Sequence, residues 1–309
     1  MQQQIDELYP TLDANHRLSI RAKSLEITIK LGAHYLDLYR NTQIIRIALK
    51  HLIYADDIIS SFEYYFSAVK PQSFNQYEIV DYSTPRFHNV IGFDLMPVAF
   101  PSFSEPLVTT NQYLHFANLK PGDTVIDLGA YSGLTSIVFK EKVGNLGRVI
   151  AVDADSDNMK TIAENIKLYK SITGNNIDII FGAVWNHSNG LSFSTEGNMG
   201  SAASEIVGVN RGSVDMIRSY TLSALCEIGK VKSVDFMKCD VEGAEAVIFE
   251  DEKFFQSHRP RIIIETHLKD GIETTDKCIF DLTKFGYECR KIIQTGVVLP
   301  LIECYPKCF

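Results

Sequence analysis

The stretch Thr124-Val-Ile-Asp-Leu-Gly-Ala-Tyr-Ser-Gly-Leu-Thr-Ser136 decides the fold of this 309-residue chain. Its apolar run from Val125 to Leu128 contains one charged residue, Asp127, and is typical of a buried strand. Two glycines, Gly129 and Gly133, then predict a tight turn, and the apolar spacing after them is helical. Strand, glycine turn and helix together predict the opening of a βαβ unit of the kind that binds nucleotides.

Strands and helices alternate through the rest of this region. Further strands are predicted at 148–152, 177–181, 234–238 and 261–265, with helices between them. A last pair is predicted at 287–293 and 297–302, around Gly296. This order indicates an α/β fold with a mostly parallel, doubly wound sheet and an antiparallel strand pair at the C-terminal end.

The first third of the chain has a different pattern. Apolar residues at helical spacing from Leu18 to Leu38, a break near Asn41 and two further helical stretches ending before Pro71 predict an N-terminal helical region over residues 1–75. Prolines and aromatic residues without a regular period predict a connecting and covering segment with short strands over 76–110. The main domain is then expected to cover 111–309, and the N-terminal helices and the segment from Gly182 to Arg218 to cover its site.

Composition narrows the class of protein. The formal net charge is -8, whereas a protein held to nucleic acid through phosphates is normally basic, so no nucleic-acid partner is expected. The N-terminus lacks the pattern of a signal peptide, and the richest apolar stretch, from Ile44 to Ile59, is broken by charges. We therefore expect a cytoplasmic protein without membrane insertion.

The 6 cysteines form no Cys-x-x-Cys pair and are expected to be reduced thiols. A metal site built from Cys289, Cys304 and Cys308 is the alternative that the sequence leaves open.

Polar residues and glycines cluster where the predicted parallel strands end. In an open α/β sheet ligands bind beyond these carboxyl ends. In chain order the ends carry Asp127 and Gly129, Asp153 and Asp155, Gly182 and Ala183, Asp240 and Glu242, and Glu265 and His267. Four of the five ends bear carboxylates, which a packed core does not need.

The residues of the glycine turn indicate which class of ligand it can bind. A dinucleotide fingerprint is Gly-x-Gly-x-x-Gly, but here Tyr131 stands where a pyrophosphate requires the second glycine. Asp153 follows at about the distance of the acid that binds ribose hydroxyls. An adenosyl ligand without phosphates therefore suits the turn better. Asp127 inside its apolar strand calls for a cationic ligand or for hydrogen bonds from its own turn.

Four stretches together resemble one family. Besides Val125-Ile-Asp-Leu-Gly-Ala-Tyr-Ser-Gly133, they are Val149-Ile-Ala-Val-Asp-Ala-Asp155, Lys238-Cys-Asp-Val-Glu-Gly-Ala-Glu245 and Arg259-Pro-Arg-Ile-Ile-Ile-Glu-Thr-His267. In this order they resemble the FkbM family of S-adenosylmethionine-dependent methyltransferases, over roughly residues 105 to 295. The resemblance implies a Rossmann-like class I methyltransferase fold. Asp153-Ala154 departs from the usual Glu-Pro, a conservative change for ribose binding.

The resemblance also implies roles at the site. Asp127, Gly129, Ala130, Tyr131 and Gly133 would surround the methionine part of S-adenosyl-L-methionine, and Asp240 would lie at the transferred methyl group. Asp153 would hold the ribose. The adenine would lie between Ala154 and Asp155 on one side and Gly182 and Ala183 on the other. The product would be S-adenosyl-L-homocysteine.

Transfer to a hydroxyl needs a base. His267 has a suitable unperturbed pKa, and Asp240 and Glu242 are alternatives if burial raises theirs. Glu245 is expected to be structural, on the first turn of the helix that follows. A divalent metal site built from Asp240, Glu242 and His267 is considered, but no metal is predicted.

The expected function is O-methylation of a hydroxyl on a small-molecule natural product or glycan in biosynthesis. N-methylation of an amide or amine of a peptide or natural product is the first alternative. An NAD-dependent oxidoreductase and a non-catalytic adaptor are the others. The doubly apolar N-terminal helices permit a homodimer.

Overall fold

The computed structural model describes residues 12–195, 202–203, 213–293 and 299–307. The chain divides into two units, Met1–Thr109 and Thr110–Phe309. The helix α4, Leu107–Ala117, lies across this division.

A seven-stranded sheet is the centre of the second unit, and the glycine turn leaves its middle strand. Its strands in chain order are β8 (Thr124–Leu128), β9 (Arg148–Asp153), β10 (Asp178–Phe181), β16 (Phe236–Cys239), β17 (Arg261–Glu265), β20 (Tyr287–Ile292) and β21 (Leu301–Pro306). Their spatial order is β10-β9-β8-β16-β17-β21-β20. The first five are parallel, and β21 is antiparallel to both of its neighbours. The predicted sheet with its antiparallel terminal pair is thereby confirmed.

The register between β8 and β16 brings two charged residues together. Asp127 is paired with Lys238, and Leu128 with Cys239. Paired residues of neighbouring strands point to the same face of a sheet, so the two charges lie side by side. Both are buried among apolar strand residues.

Helices connect the strands in the predicted order. They are α5 (Leu134–Val143), α6 (Ser156–Thr173), α7 (Leu222–Ile228), α8 (Glu245–Ile248), α9 (Glu252–Ser257) and α10 (Thr275–Lys284). Apolar residues from both the strands and the helices form one buried core, with Ile126, Ile150 and Met237 among its fully buried members. The core supports the strands, and their carboxyl ends carry the polar residues.

The segment between β10 and β16 contains short strands. They are β11 (Ala183–Val184), β12 (Leu191–Thr195), β13 (Ala202–Ala203), β14 (Ser213–Ile217) and β15 (Ser219–Tyr220). β12 pairs with β13 and β14, and β11 pairs with β15. Other parts of the expected cover, 196–201 and 204–212, lie outside the described residues.

The prediction of an all-helical region over residues 1–75 is wrong. Among the described residues 12–75, the helical parts are α1 (Leu12–Ser24), a 3-10 turn at Leu49–Tyr54, α2 (Ala55–Ser60) and α3 (Phe62–Phe66). Between them lie β1 (Thr28–Leu31), β2 (Tyr35–Arg40) and β3 (Gln43–Ala48). The break at Asn41 is a hairpin turn in which Asn41 takes φ 54°, and β-branched Ile44, Ile45 and Ile47 favour the strand.

The segment 76–110 does not form a separate connection. Its strand β5 (Tyr77–Tyr82) joins the N-terminal sheet, whose order is β1-β2-β3-β5-β4, with β4 at Gln72–Phe74. Two further short strands, β6 (Arg86–His88) and β7 (Val98–Phe100), pair with each other. The predicted short strands exist, but the first of them belongs to the preceding sheet because it pairs parallel to β3.

Two C-terminal expectations need correction. The second strand of the terminal pair begins at Leu301 rather than 297, since Pro300 has no N–H to donate to a ladder; residues 294–298, which include Gly296, lie outside the described part. Cys289 and Cys304 are not reduced thiols but form a disulfide, because the register places them opposite each other on β20 and β21. Cys308, the third residue of the alternative metal site, lies outside the described residues.

In the described part of the chain, every helix is too short or too polar to cross a bilayer.

Candidate active site

The glycine turn after β8 is packed directly against the end of β16. Gly129 has φ 75°, and a Cβ added there would lie 1.7 Å from the carbonyl oxygen of Asp240. The N–H groups of Gly129 and Ala130 both donate to the Val152 carbonyl, at 2.9 and 3.0 Å. Gly133, at φ 79°, begins α5. Only glycine satisfies both demands at position 129, so the turn holds the ends of β8, β9 and β16 together.

Asp127 is fully buried and has an internal cation beside it. The Lys238 ammonium lies 3.5 Å from Asp127 Oδ1, and the Ser136 hydroxyl donates to Oδ2 at 2.5 Å. Asp127 Oδ1 has no hydrogen-bond partner. Burial raises the pKa of Asp127, while Lys238 and Ser136 act in the opposite direction. Both groups that stabilise the ionised form of Asp127 therefore belong to the chain itself: the Ser136 hydroxyl on α5 and the Lys238 ammonium on β16.

Lys238 joins the turn to the neighbouring strand end. Its ammonium donates to the carbonyl of Gly129 at 2.7 Å and lies 3.3 Å from Asp240 Oδ2. The residue is 2% exposed. No role was predicted for Lys238 from the sequence, although it lies inside the apolar run of β16 as Asp127 lies inside that of β8.

Asp153 ends β9 with its carboxylate turned inward. Its Oδ1 accepts from the Asp155 N–H at 2.9 Å and from Asn158 Nδ2 at 3.2 Å, and Oδ2 accepts from the Tyr131 N–H at 2.8 Å. Burial raises its pKa to about 7. Tyr131 itself is buried with φ 51°. Asn158, which was not singled out from the sequence, therefore helps the N–H groups of Tyr131 and Asp155 to orient the Asp153 carboxylate.

Asp155 and Ala154 divide the remaining roles at this strand end. Asp155 is fully buried and caps α6, accepting from the N–H groups of Asp157 and Asn158 at 2.7 and 3.2 Å. One oxygen thus serves as the N-terminal cap of the helix. Ala154 is partly buried against the core.

The end of β10 is closed on one side by the later strands. Gly182 lies so near Tyr220 and the Arg218 carbonyl that a Cβ would come within 2.5 and 2.9 Å of them. Its N–H donates to the Asp153 carbonyl at 2.9 Å, which places it next to the predicted ribose residue. Ala183 is buried and donates to Arg218.

Three predicted catalytic residues converge at the ends of β16 and β17. One ligand atom from each of Asp240, Glu242 and His267 lies within 4.8 Å of the others. His267 Nε2 is 3.6 Å from Asp240 Oδ1 and 3.7 Å from Glu242 Oε1. All three side chains are partly accessible. Asp240 stands between two cations, Lys238 and His267.

Glu245 holds the imidazole from behind and is fully buried. Its Oε1 accepts from the His267 ring at 3.2 Å, from the His267 N–H at 2.9 Å and from the Thr274 hydroxyl at 2.7 Å, while Oε2 accepts from the Gly243 N–H at 2.9 Å. The expected structural role of Glu245 at the start of α8 agrees with this arrangement.

The electrostatics weigh against His267 as the base. Burial lowers its pKa, but Glu242, Glu245 and Asp240 outweigh burial, so the pKa lies well above its ordinary value. An imidazole that is already protonated cannot accept the proton of an acceptor hydroxyl. The unperturbed value used in the sequence analysis does not apply, because the fold surrounds the ring with carboxylates.

Glu242 has the properties expected of a base. Burial raises its pKa to about 8, with Asp240 and Glu265 adding to the shift and His267 opposing it. Its backbone takes φ 50°, a strained conformation for a residue other than glycine. Glu265 accepts a hydrogen bond from the Tyr113 hydroxyl, and burial raises its pKa as well. Tyr113 on α4 was not singled out from the sequence.

The convergent trio also has the spacing of metal ligands. A divalent cation could use Asp240, Glu242 and His267, and Glu245 would then be the carboxylate that orients the histidine. The raised pKa of His267 favours a different interpretation, in which the imidazolium itself is the cation among the carboxylates.

Comparisons with known proteins identify the family of this chain. Residues 127–289, more than half of the chain, match the Methyltransferase FkbM domain. Among curated proteins, no significant match is found.

Solved methyltransferase structures are similar at low identity. A precorrin-6y C5,15-methyltransferase from Geobacter metallireducens is 13% identical over 66% of this chain and 90% of that one, with a TM-score of 0.43. An S-adenosylmethionine-dependent methyltransferase from Aquifex aeolicus is 14% identical over 63% and 88%, with a TM-score of 0.37. An FkbM methyltransferase from Methylobacillus flagellatus is 17% identical over 60% and 44%, with a TM-score of 0.42.

The family match rests on residues that the structure brings together, from Asp127 in β8 to the terminal strand β20. It decides against the NAD-dependent oxidoreductase and the adaptor that the sequence left open. The expected Rossmann-like class I fold and the expected enzyme class are confirmed. The chain belongs to the FkbM family of S-adenosylmethionine-dependent methyltransferases.

Proposed function

We propose that this enzyme methylates a hydroxyl group of a small-molecule natural product or glycan. The observation that carries the proposal is the convergence of Asp240, Glu242 and His267 beside the glycine turn. Partly accessible carboxylates accept hydrogen bonds from hydroxyl groups, and a carboxyl group whose pKa is about 8 suits the removal of a hydroxyl proton near neutral pH. A biosynthetic role in the cytoplasm belongs to the same proposal.

The residues at the strand ends fit S-adenosylmethionine. The turn at Gly129 leaves backbone where a side chain would clash, and Asp127 keeps one buried oxygen without a hydrogen-bond donor. Asp153 retains acceptor capacity on Oδ2, which receives one donor. We assign the methionine end to the stretch from Asp127 to Gly133, and the ribose to Asp153.

The adenine is assigned to the space between Ala154 and the Gly182–Ala183 segment. Asp155 contributes there chiefly by capping α6 and thereby fixing the end of β9. Asp240 borders the position of the reactive methyl group, since it follows β16 beside the turn.

When bound, the cofactor supplies an electrophilic methyl group on a sulfonium sulfur. The chain's own contribution is to align the acceptor and remove its proton. Glu242 takes the hydroxyl proton as the new C–O bond forms and the S–C bond breaks. His267, held by Glu245, donates towards Glu242 and Asp240 and keeps both carboxylates oriented. The thioether product is left without the sulfonium charge.

Labelling tests this proposal. The enzyme is incubated with methyl-labelled S-adenosylmethionine and a set of hydroxyl and amine acceptors, and the labelled atom is identified by NMR. A C–O label supports the proposal. A label on nitrogen would instead establish the N-methyltransferase alternative. Failure of the wild-type protein to bind either S-adenosylmethionine or S-adenosylhomocysteine would refute the cofactor assignment.

A further inference from the structure

Lys238 is the buried cation nearest to the proposed methionine site. Its ammonium is bonded to the Gly129 carbonyl, which belongs to the turn itself, and contacts two carboxylates, Asp127 at 3.5 Å and Asp240 at 3.3 Å. Asp127 is fully buried, whereas 21% of the Asp240 side chain is exposed. Lys238 and Asp127 are thus enclosed by protein, while Asp240 is partly exposed at the end of β16.

We propose that Lys238 sets the preference of this pocket between the cationic substrate S-adenosylmethionine and the neutral product S-adenosylhomocysteine. The inference rests on the proposed function, because it assumes that this pocket holds the methionine end of the cofactor. It makes Lys238 a specificity-determining residue that acts through charge, without a required contact to the ligand.

Charge balance gives the reason. Ionised Asp127 and Asp240 together with the Lys238 ammonium leave one negative charge at the turn, and the His267 charge on the other side of Asp240 is the same in every variant compared. S-adenosylmethionine carries one net positive charge, on its sulfonium, and the product carries none. The pocket therefore matches the substrate, and the match is lost when the methyl group leaves. Without Lys238, Asp127 would lose its counter-charge and Asp240 would keep His267 alone, and without Asp127 the ammonium would repel the sulfonium.

The arrangement makes the two residues act as a pair. Asp127 and Lys238 are register partners on adjacent strands, so their charges lie at a fixed separation. Removing one buried charge of a pair costs more than removing both, because the remaining charge is left unpaired. If Lys238 has this role, substituting Lys238 and substituting Asp127 should change the preference between the two ligands in opposite directions. The double variant should restore the preference of the wild type.

The test compares four proteins: the wild type, Asp127→Asn, Lys238→Met and the double variant. Calorimetry gives the dissociation constants of S-adenosylmethionine and S-adenosylhomocysteine, and the ratio of the two is the readout. Asp127→Asn should shift the ratio at least about fivefold towards the neutral product, since a unit charge at this range acts strongly in a buried site. Adding Lys238→Met should return the ratio to near the wild-type value.

Lys140→Met is a matched control. Lys140 is also a buried lysine, and it donates to the carbonyls of Gly144 and Gly147 at 3.1 and 2.7 Å. Its loss should lower thermal stability and leave the ligand ratio unchanged. A ratio is insensitive to a uniform loss of affinity, so partial destabilisation of a variant does not imitate the effect.

The outcomes separate the two proposals. If the wild type binds neither ligand, the proposed function fails, and this inference fails with it. If the wild type binds both and the ratio is the same in Asp127→Asn and the double variant, Lys238 does not set the preference, while the proposed function stands. Should Lys238→Met alone fail to fold, the comparison of Asp127→Asn with the double variant still decides.

Discussion

Lys238 and Asp127 occupy paired positions on adjacent parallel strands, with the ammonium 3.5 Å from the carboxylate. Each would be a costly isolated charge inside a sheet, and together with Ser136 and the Gly129 carbonyl they form a buried polar site. Asp127, the charged residue inside β8, is therefore neutralised by Lys238 on β16. The polar site ties the cofactor turn to the strand end that carries Asp240.

We predict that Asp153→Ala weakens binding of S-adenosylhomocysteine by about 1 to 3 kcal/mol, since a charge-assisted hydrogen bond to a ribose hydroxyl is lost. Because the pKa of Asp153 is about 7, the ionised acceptor is lost as the pH falls below that value. The affinity of the wild type for S-adenosylhomocysteine should decline from pH 8 to pH 6, whereas that of Asp153→Ala should not show this decline. Calorimetry measures both. Asp157→Ala, in the first turn of helix α6, which follows Asp153, is the control. Equal affinities of Asp153→Ala and Asp157→Ala for S-adenosylhomocysteine would contradict the assignment of the ribose to Asp153.

Glu242→Gln should keep cofactor affinity and reduce kcat by about 10²- to 10⁴-fold, the usual contribution of a general base. In the wild type, Glu242 becomes ionised as the pH rises through about 8, so kcat should rise over that range. The variant should lose this rise. Glu250→Gln, a surface residue paired with Lys277, should behave as wild type. A normal pH profile in Glu242→Gln would remove Glu242 from the role of base.

His267→Gln should spare cofactor binding and slow turnover. The imidazolium lowers the pKa of Glu242, so its removal should move the rise of kcat with pH to more alkaline values. Stopped assays across pH 6 to 10 measure this displacement. Were His267 the base instead, the variant would lose the pH-dependent rise altogether, and the two roles are thereby distinguished.

Removal of divalent ions should leave activity unchanged. The prediction follows from the raised pKa of His267, which gives the carboxylate cluster a cation of its own. Activity is measured after dialysis against EDTA and again after addition of Mg²⁺ or Mn²⁺. Loss of activity with EDTA and recovery with the metal would show that Asp240, Glu242 and His267 act as ligands.

The candidate site residues that lie at the ends of predicted strands could be identified from the sequence. Asp127, Asp153, Asp240 and His267 were placed because acids and a histidine follow apolar runs, and β17 begins and ends where the pattern indicates. Partners distant in sequence were not predictable. Tyr113 meets Glu265 across 152 positions of the chain, and local spacing carries no trace of that contact.

The N-terminal unit shows how local patterns fail. Apolar residues from Leu18 to Leu38 satisfy a helical period, yet β1 and β2 occupy the second half of that stretch. Alternation and helical spacing overlap in short apolar runs, and the pairing partner decides between them. For β3, one of those partners is β5, and four elements lie between these two strands in the chain.

The sequence by itself determined the α/β class, the parallel sheet and the glycine turn, because strand, glycine turn and helix are local features with local causes. Only the tertiary structure decided how the charges are used. Register set Lys238 against Asp127, and the junction of β16 with β17 surrounded His267 with three carboxylates. The pKa of a group depends on the charges and the burial around it, and both come from residues distant in the chain. That is why, of the three candidate bases named from the sequence, His267, Asp240 and Glu242, we propose Glu242.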